Sequence, residues 1–251
     1  GPNRPFRDLA GGLASRGVAV LRYDKRTRLH GARMAAGDIG LEEEVVADAL
    51  MALDTLRHTP GVDPRAVFLL GHSMGAFMAP MIAERDARLA GAILLAGNTG
   101  STTELTAEQL RYIASLQGAP SPELQAMIAT VDSLREGRLP ESALVLGAPA
   151  RYWHELDALR PIEVARRIKT PLLILQGGRD YQVPPRELGI WRGELAGRPH
   201  TDFHEFPALN HLFMAGSGPS SPAEYQVPGH VDAAVVDEIA SWILGARTEK
   251  R

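Results

Sequence analysis

Five consecutive residues, Gly71-His72-Ser73-Met74-Gly75, carry the clearest chemistry in this sequence. They follow the apolar run Ala66–Leu70 and open a helix-compatible run from Ala76 to Arg85. Strand, then Gly-x-Ser-x-Gly, then helix is the order in which a sharp turn offers a serine hydroxyl as a nucleophile. Such a turn holds its serine in a strained conformation. The flanking positions are expected to be glycine because a Cβ at either would strike the neighbouring strand or helix.

A serine hydroxyl is a poor nucleophile at neutral pH. It needs an imidazole to take its proton and a carboxylate to hold that imidazole in the right tautomer. Around a turn of this kind the acid and then the base follow the serine along the chain, each just past a strand end. Asp180 meets that requirement, emerging from Leu172-Leu173-Ile174-Leu175-Gln176-Gly177-Gly178-Arg179 in a loop that Val183-Pro184 would stiffen. His211 meets it too, within Phe206-Pro207-Ala208-Leu209-Asn210-His211-Leu212-Phe213.

The other histidines fit less well. His72 sits inside the turn, with its side chain expected to point away from the serine. His30 and His58 precede the nucleophile, His154 lies in a helical middle segment, and His200 and His204 belong to the last strand and its approach. His230 is the one rival, read as a capping or packing residue before the final helix. The oxyanion of an attacked carbonyl would take one donor from the Met74 amide. A second normally comes from a glycine-rich loop after an earlier strand, and no such strand and loop stand ahead of residue 6. Loss of one donor typically costs about 100- to 1000-fold in turnover. A sheet lacking that strand would also keep an exposed edge, open to pairing with another copy of the chain.

These side chains require a scaffold of alternating strands and helices, and the periodicity supplies one. A helix is expected over 6–17, a buried strand over Val18–Tyr23, and a long amphipathic helix over Leu41–His58, introduced by Asp38 to Gly40 and stopped by Pro60-Gly61. Strands follow at Ala66–Leu70, Ala92–Ala96, Pro171–Gln176 and Thr201–Phe206, with helical runs near Arg186–Ala196 and Val231–Ala246. This alternation implies an α/β fold: a mostly parallel sheet covered by helices on both faces, its active site at the carboxyl ends of the strands. Residues 98–169 break the rhythm with helical patterns alone. One carries Leu124, Met127, Ile128, Val131 and Leu134, and another carries Tyr152, Trp153, Leu156 and Leu159. The expected organisation is therefore a core of 1–97 and 170–251 with a helical cap at 98–169.

Composition narrows the chemistry further. The 251 residues carry a formal net charge of −3, from 27 basic and 30 acidic side chains, which gives no electrostatic footprint for nucleic acid. Cysteine is absent, so thiolate chemistry, disulfides and cysteine-bound zinc are excluded. The eight histidines form no His-Glu-x-x-His or similar ligand cluster, and neither metal nor cofactor is expected. No apolar stretch approaches the roughly 18 residues of a membrane span. The first residue is Gly1, so nothing about a secretion signal follows from this start; a cytoplasmic location is the working expectation.

With these motifs in place, the chain resembles the α/β-hydrolase superfamily, and within it the bacterial serine carboxylesterases with a small helical lid. The resemblance rests on Tyr23–Arg26, Gly71–Gly75, Gln176–Val183 and Asn210–Phe213, with a family-like tail at Ser220–Tyr225 and Gly229–Val231. It implies hydrolysis of small-molecule carboxylic esters through an acyl-enzyme, with Ser73 as nucleophile, Asp180 as acid and His211 as base. Members of the group usually begin with a strand and a His-Gly-Ser-Gly-Pro-like loop, which the present sequence lacks. Thioester, amide or peptide hydrolysis would use the same residues, and a hydrolase-like domain of impaired turnover is the reading from a different class.

Overall fold

Gly91–Leu95 and Leu172–Gly177 are apolar runs with scarcely any residue to turn toward water, and every position in both is buried. Such strands are stable only with both faces covered, as in a parallel sheet between helical layers. The computed structural model describes residues 1–31 and 40–248; Asp38, expected to introduce the long helix, lies outside the described residues. The strands among them are β1 (Phe68–His72), β2 (Gly91–Leu95), β3 (Leu144–Val145), β4 (Ala148–Pro149), β5 (Leu172–Gly177) and β6 (Thr201–Phe206). The main sheet runs β1-β2-β5-β6 with all pairs parallel. Its register sets His72 beside Leu95, Leu95 beside Leu175, and Gly177 beside Phe206. The carboxyl ends of all four strands are thus brought level.

The chain divides into two compact units. The first comprises Gly1–Tyr23, Asp48–Thr99 and Pro161–Arg251, and holds the sheet. Ala76 and Ala79 of the helix Met74–Arg85 pack with Ala92, Leu94, Leu172 and Ile174, their small side chains allowing helix and sheet to approach closely. Trp191, from the helix Arg186–Glu194, is fully buried in the same cluster and donates its indole N–H to the Gly97 carbonyl at 2.8 Å.

The second unit comprises Asp24–Ala47 and Gly100–Arg160, so it takes in a stretch that the sequence pattern groups with the core. Its helices Thr102–Ser115 and Pro122–Arg135 are capped by the Ser101 and Ser121 hydroxyls, which accept from Glu104 and Leu124 amides at 3.1 and 3.2 Å. Leu124, Val131 and Leu134 are buried as the spacing requires, whereas Met127 is 44% exposed. The antiparallel β3–β4 pair also belongs here, in a stretch expected to be helical throughout.

Two expectations fail near the start of the chain. The first helix is Pro5–Ala14, closing three residues before Gly17, whose φ of +81° ends the turn. Val18–Tyr23 joins no strand ladder among the described residues, and Val20 and Tyr23 are 40% and 48% exposed. β1 pairs with β2 alone among the described residues, so its other edge offers no ladder to this segment. Between them lies an apolar trench of about 350 Å³, lined by Leu9, Leu13, Val20, Leu21, Phe68 and Leu70 among others. Extended backbone becomes a strand only through a partner at hydrogen-bonding distance. The apolar pattern of 18–23 is therefore present without the pairing.

Candidate active site

β1 runs directly into Ser73, and the helix Met74–Arg85 begins at the next residue. Ser73 adopts φ 56° and ψ −119°, a region closed to most residues with a Cβ, and its own carbonyl accepts from Phe77 N at 2.9 Å. Its amide donates to the Leu95 carbonyl at 2.8 Å, which anchors the turn to β2. A Cβ at Gly71 would collide with the backbone of Gly75 and Ala76, so glycine is required there. The matching expectation for Gly75 fails: an added Cβ would meet nothing within 4 Å, because the collision is between the Gly71 side and the Gly75 carbonyl. The Met74 amide heads the helix, where backbone N–H groups and the positive end of the helix dipole point outward.

Asp180 is positioned by the turn that ends β5. Gly178 N donates to Phe206 O at 2.8 Å and Arg179 N to Leu209 O at 2.9 Å, which binds this turn to the loop after β6. Asp180 is 3% exposed. Its Oδ1 accepts from the Gln182 and Val183 amides at 2.8 and 2.9 Å, and its Oδ2 from Gln176 Nε2 at 3.2 Å. Oδ2 also lies 2.7 Å from Nδ1 of His211, itself 4% exposed. A carboxylate only accepts, so Nδ1 of His211 is the donor in this bond.

The His72 ring packs against His211. Its Nε2 lies 2.8 Å from the His211 carbonyl, and the two imidazole rings are 4.6 Å apart. Phe6 and Phe213 meet the His72 ring edge-on at 6.1 and 6.2 Å. Burial, and then the neighbouring His211, push the His72 imidazole down to about 4, against an opposing pull from the bond to the His211 carbonyl and from Asp180. His72 is thus neutral at pH 7, with its proton on Nε2 facing the carbonyl.

The predicted residues therefore fall as follows. Asp180 and His211 meet in a direct hydrogen bond, and Ser73 stands at the end of β1 next to His72, whose ring contacts His211. His230 pairs with Asp8 at 3.2 Å and its side chain is 86% exposed, while His154 and His58 pair with Glu141 and Asp54 on the surface. No group of three or more potential metal ligands occurs among the described residues. Composition and spacing missed the supports of the pair: Gln176, the His72 ring and the two amides after Asp180. The amides have a local sequence signal, because an aspartate whose carboxylate accepts the backbone N–H groups two and three residues on is a recurrent side-chain turn.

The sequence matches the family model "Serine aminopeptidase, S33" over residues 4–216. It is 40% identical over 244 residues to "Esterase EstD" of Thermotoga maritima, covering 97% of this chain and 58% of that protein. It is 26% identical over 174 residues to the "Alpha/beta hydrolase domain-containing protein WAV2" of Arabidopsis thaliana, covering 68% of this chain and 48% of that one. The chain thus spans about half the length of the curated relatives it matches. Among solved structures, Est1E from Butyrivibrio proteoclasticus superposes with a TM-score of 0.60 at 16% identity, over 98% of this chain and 83% of that one. At that identity the likeness speaks to the fold. No helix among the described residues is long and apolar enough to cross a membrane.

Proposed function

The chain belongs to the serine aminopeptidase S33 family, of α/β-hydrolase fold, and from that premise we propose that it cleaves small carboxylic esters through Ser73, His211 and Asp180. In this reading Nε2 of His211 takes the hydroxyl proton as Ser73 Oγ bonds to the ester carbonyl carbon. Asp180 stabilises the imidazolium that results. The Met74 amide donates to the oxyanion, and the helix behind it lends its positive end. His211 then returns the proton to the departing alcohol oxygen as the C–O bond breaks. Water repeats the sequence on the acyl-serine, regenerating the hydroxyl and releasing the acid. Residues 98–169 are read as the lid.

The observation that carries this reading is the buried Asp180–His211 bond of 2.7 Å, at strand ends level with the strained serine. Ester preference is supported by the name of the Thermotoga relative. A second reading, cleavage of peptide or amide bonds, is favoured by the description of the family itself. A panel of p-nitrophenyl esters, acyl-thioesters and aminoacyl amides separates the two. Ser73→Ala is expected to lower ester turnover by about 10⁴- to 10⁶-fold and to abolish covalent labelling by a fluorophosphonate. Turnover retained in that variant overturns the assignment.

A further inference from the structure

We propose that Glu224 is a positioning residue that clasps the loop bearing Asp180 to the loop bearing His211. The inference rests on the triad reading above and assigns a role to the Ser220–Tyr225 tail, which that reading leaves unused. Arg179 and Asn210 are the immediate chain neighbours of Asp180 and His211, and both converge on one carboxylate. Asn210, 2% exposed, donates from Nδ2 to Glu224 Oε2 at 3.0 Å. Its Oδ1 accepts from the Leu212 and Met214 amides at 3.0 and 3.2 Å, which folds the backbone on the far side of His211 into a tight turn.

Arg179 pairs with the other oxygen, Oε1 of Glu224, through Nη2, and approaches Oε2 through Nη1 at 3.4 Å. The same guanidinium donates to the Gly218 and Ser217 carbonyls at 2.7 and 3.0 Å, and its side chain is only 9% exposed. Ser220 Oγ completes the set, 3.1 Å from Glu224 Oε2. Burial alone would raise the Glu224 carboxyl, yet Arg179, Asn210 and Ser220 outweigh it and hold the group below the ordinary carboxylate range.

The geometry explains why this matters for chemistry. The backbone bonds Gly178 N–Phe206 O and Arg179 N–Leu209 O join the two loops at their bases, and the Glu224 carboxylate adds a side-chain tie at Arg179 and Asn210, which adjoin the reacting pair. A side chain touching both neighbours of the reacting pair steadies the separation of the loops where the backbone bonds end. Misplacement of a catalytic group by about 1 Å can cost about 100-fold in rate.

The test uses Glu224→Ala and Glu224→Gln, the latter keeping the shape while losing the charge that holds Arg179. Three quantities are read: kcat and KM on a p-nitrophenyl ester, the rate of fluorophosphonate labelling of Ser73, and the downfield proton resonance of the His211–Asp180 bond. Glu224→Ala is expected to lower kcat and the labelling rate by about 10- to 100-fold with KM nearly unchanged, and to shift or broaden the resonance. Glu224→Gln should fall between it and the parent. A folded variant with parental kcat, labelling and resonance overturns the proposal. So does a thermally weakened variant whose rate per folded molecule is unchanged. If Glu224→Ala does not fold, Glu224→Gln decides alone. A parent chain that neither turns over ester nor takes up fluorophosphonate at Ser73 would refute the triad reading, and the resonance would still decide whether the clasp exists.

Discussion

His72 is a neutral imidazole locked against the carbonyl of His211, and replacing it should change how stability depends on pH. In the unfolded chain an imidazole takes up its proton near the ordinary value of 6.5, whereas in the folded protein His72 does so only near about 4. Below pH 6.5 the unfolded state therefore binds more protons, so the stability that His72 contributes is complete above that pH. It drains away as the pH falls toward 4, and is gone below. A shift of this size corresponds to about 3 kcal/mol in total, at about 1.4 kcal/mol per pH unit where the slope is steepest. Between about pH 7 and about pH 4.5 the loss is about 2 kcal/mol. The groups facing the ring are His211, Asp180, Phe6 and Phe213. His72→Gln removes the titration and keeps an N–H for the carbonyl. Urea unfolding at several pH values should give a parent that weakens by about 2 kcal/mol more than the variant over that interval. Parallel loss in the two proteins would refute the account of His72 as a half-buried neutral donor.

Gly71 and Gly75 should respond in opposite ways to the same substitution. Gly71→Ala forces a backbone collision and is expected to cost at least about 3 kcal/mol by chemical denaturation. Gly75→Ala, with open space and a helical backbone, should gain about 0.5–1 kcal/mol. The Arg57–Asp86 pair, with both side chains 5% exposed, offers a separate check. Asp86→Ala leaves a buried guanidinium uncompensated and should cost about 3–5 kcal/mol, whereas replacing both residues with apolar ones should recover most of it. Equal losses in the single and double variants would contradict that reasoning.

What could be read from the sequence follows from how local each signal is. β2 and β5 are legible because a run buried on both faces must be almost wholly apolar, and the serine turn because Gly71 answers to residues only four and five positions away. Asp180 and His211 meet in a hydrogen bond, and both lie past strand ends as their sequence positions indicate. Val18–Tyr23 misleads because its composition is that of a strand, while strand formation depends on a neighbour that composition does not supply. The His72 contact, the Gln176 support and the Glu224 clasp join residues 139, 4 and 14 positions apart. Only the shortest of these has a local pattern to betray it. The membership of Asp24–Ala47 in the second unit is likewise a fact of packing between distant segments, such as Leu41 N donating to Glu155 Oε2 at 3.3 Å.

The one-sided pairing of β1 carries a mechanical implication. Among the described residues β1 is paired on one side only and its last residue adjoins Ser73, while Asp180 follows a strand paired left and right. Local opening begins where the fewest hydrogen bonds and contacts must be given up. Among the described residues Ser73 thus stands on the less braced border of the sheet and Asp180 at its centre, and whatever braces that border governs how firmly the Ser73 turn is held.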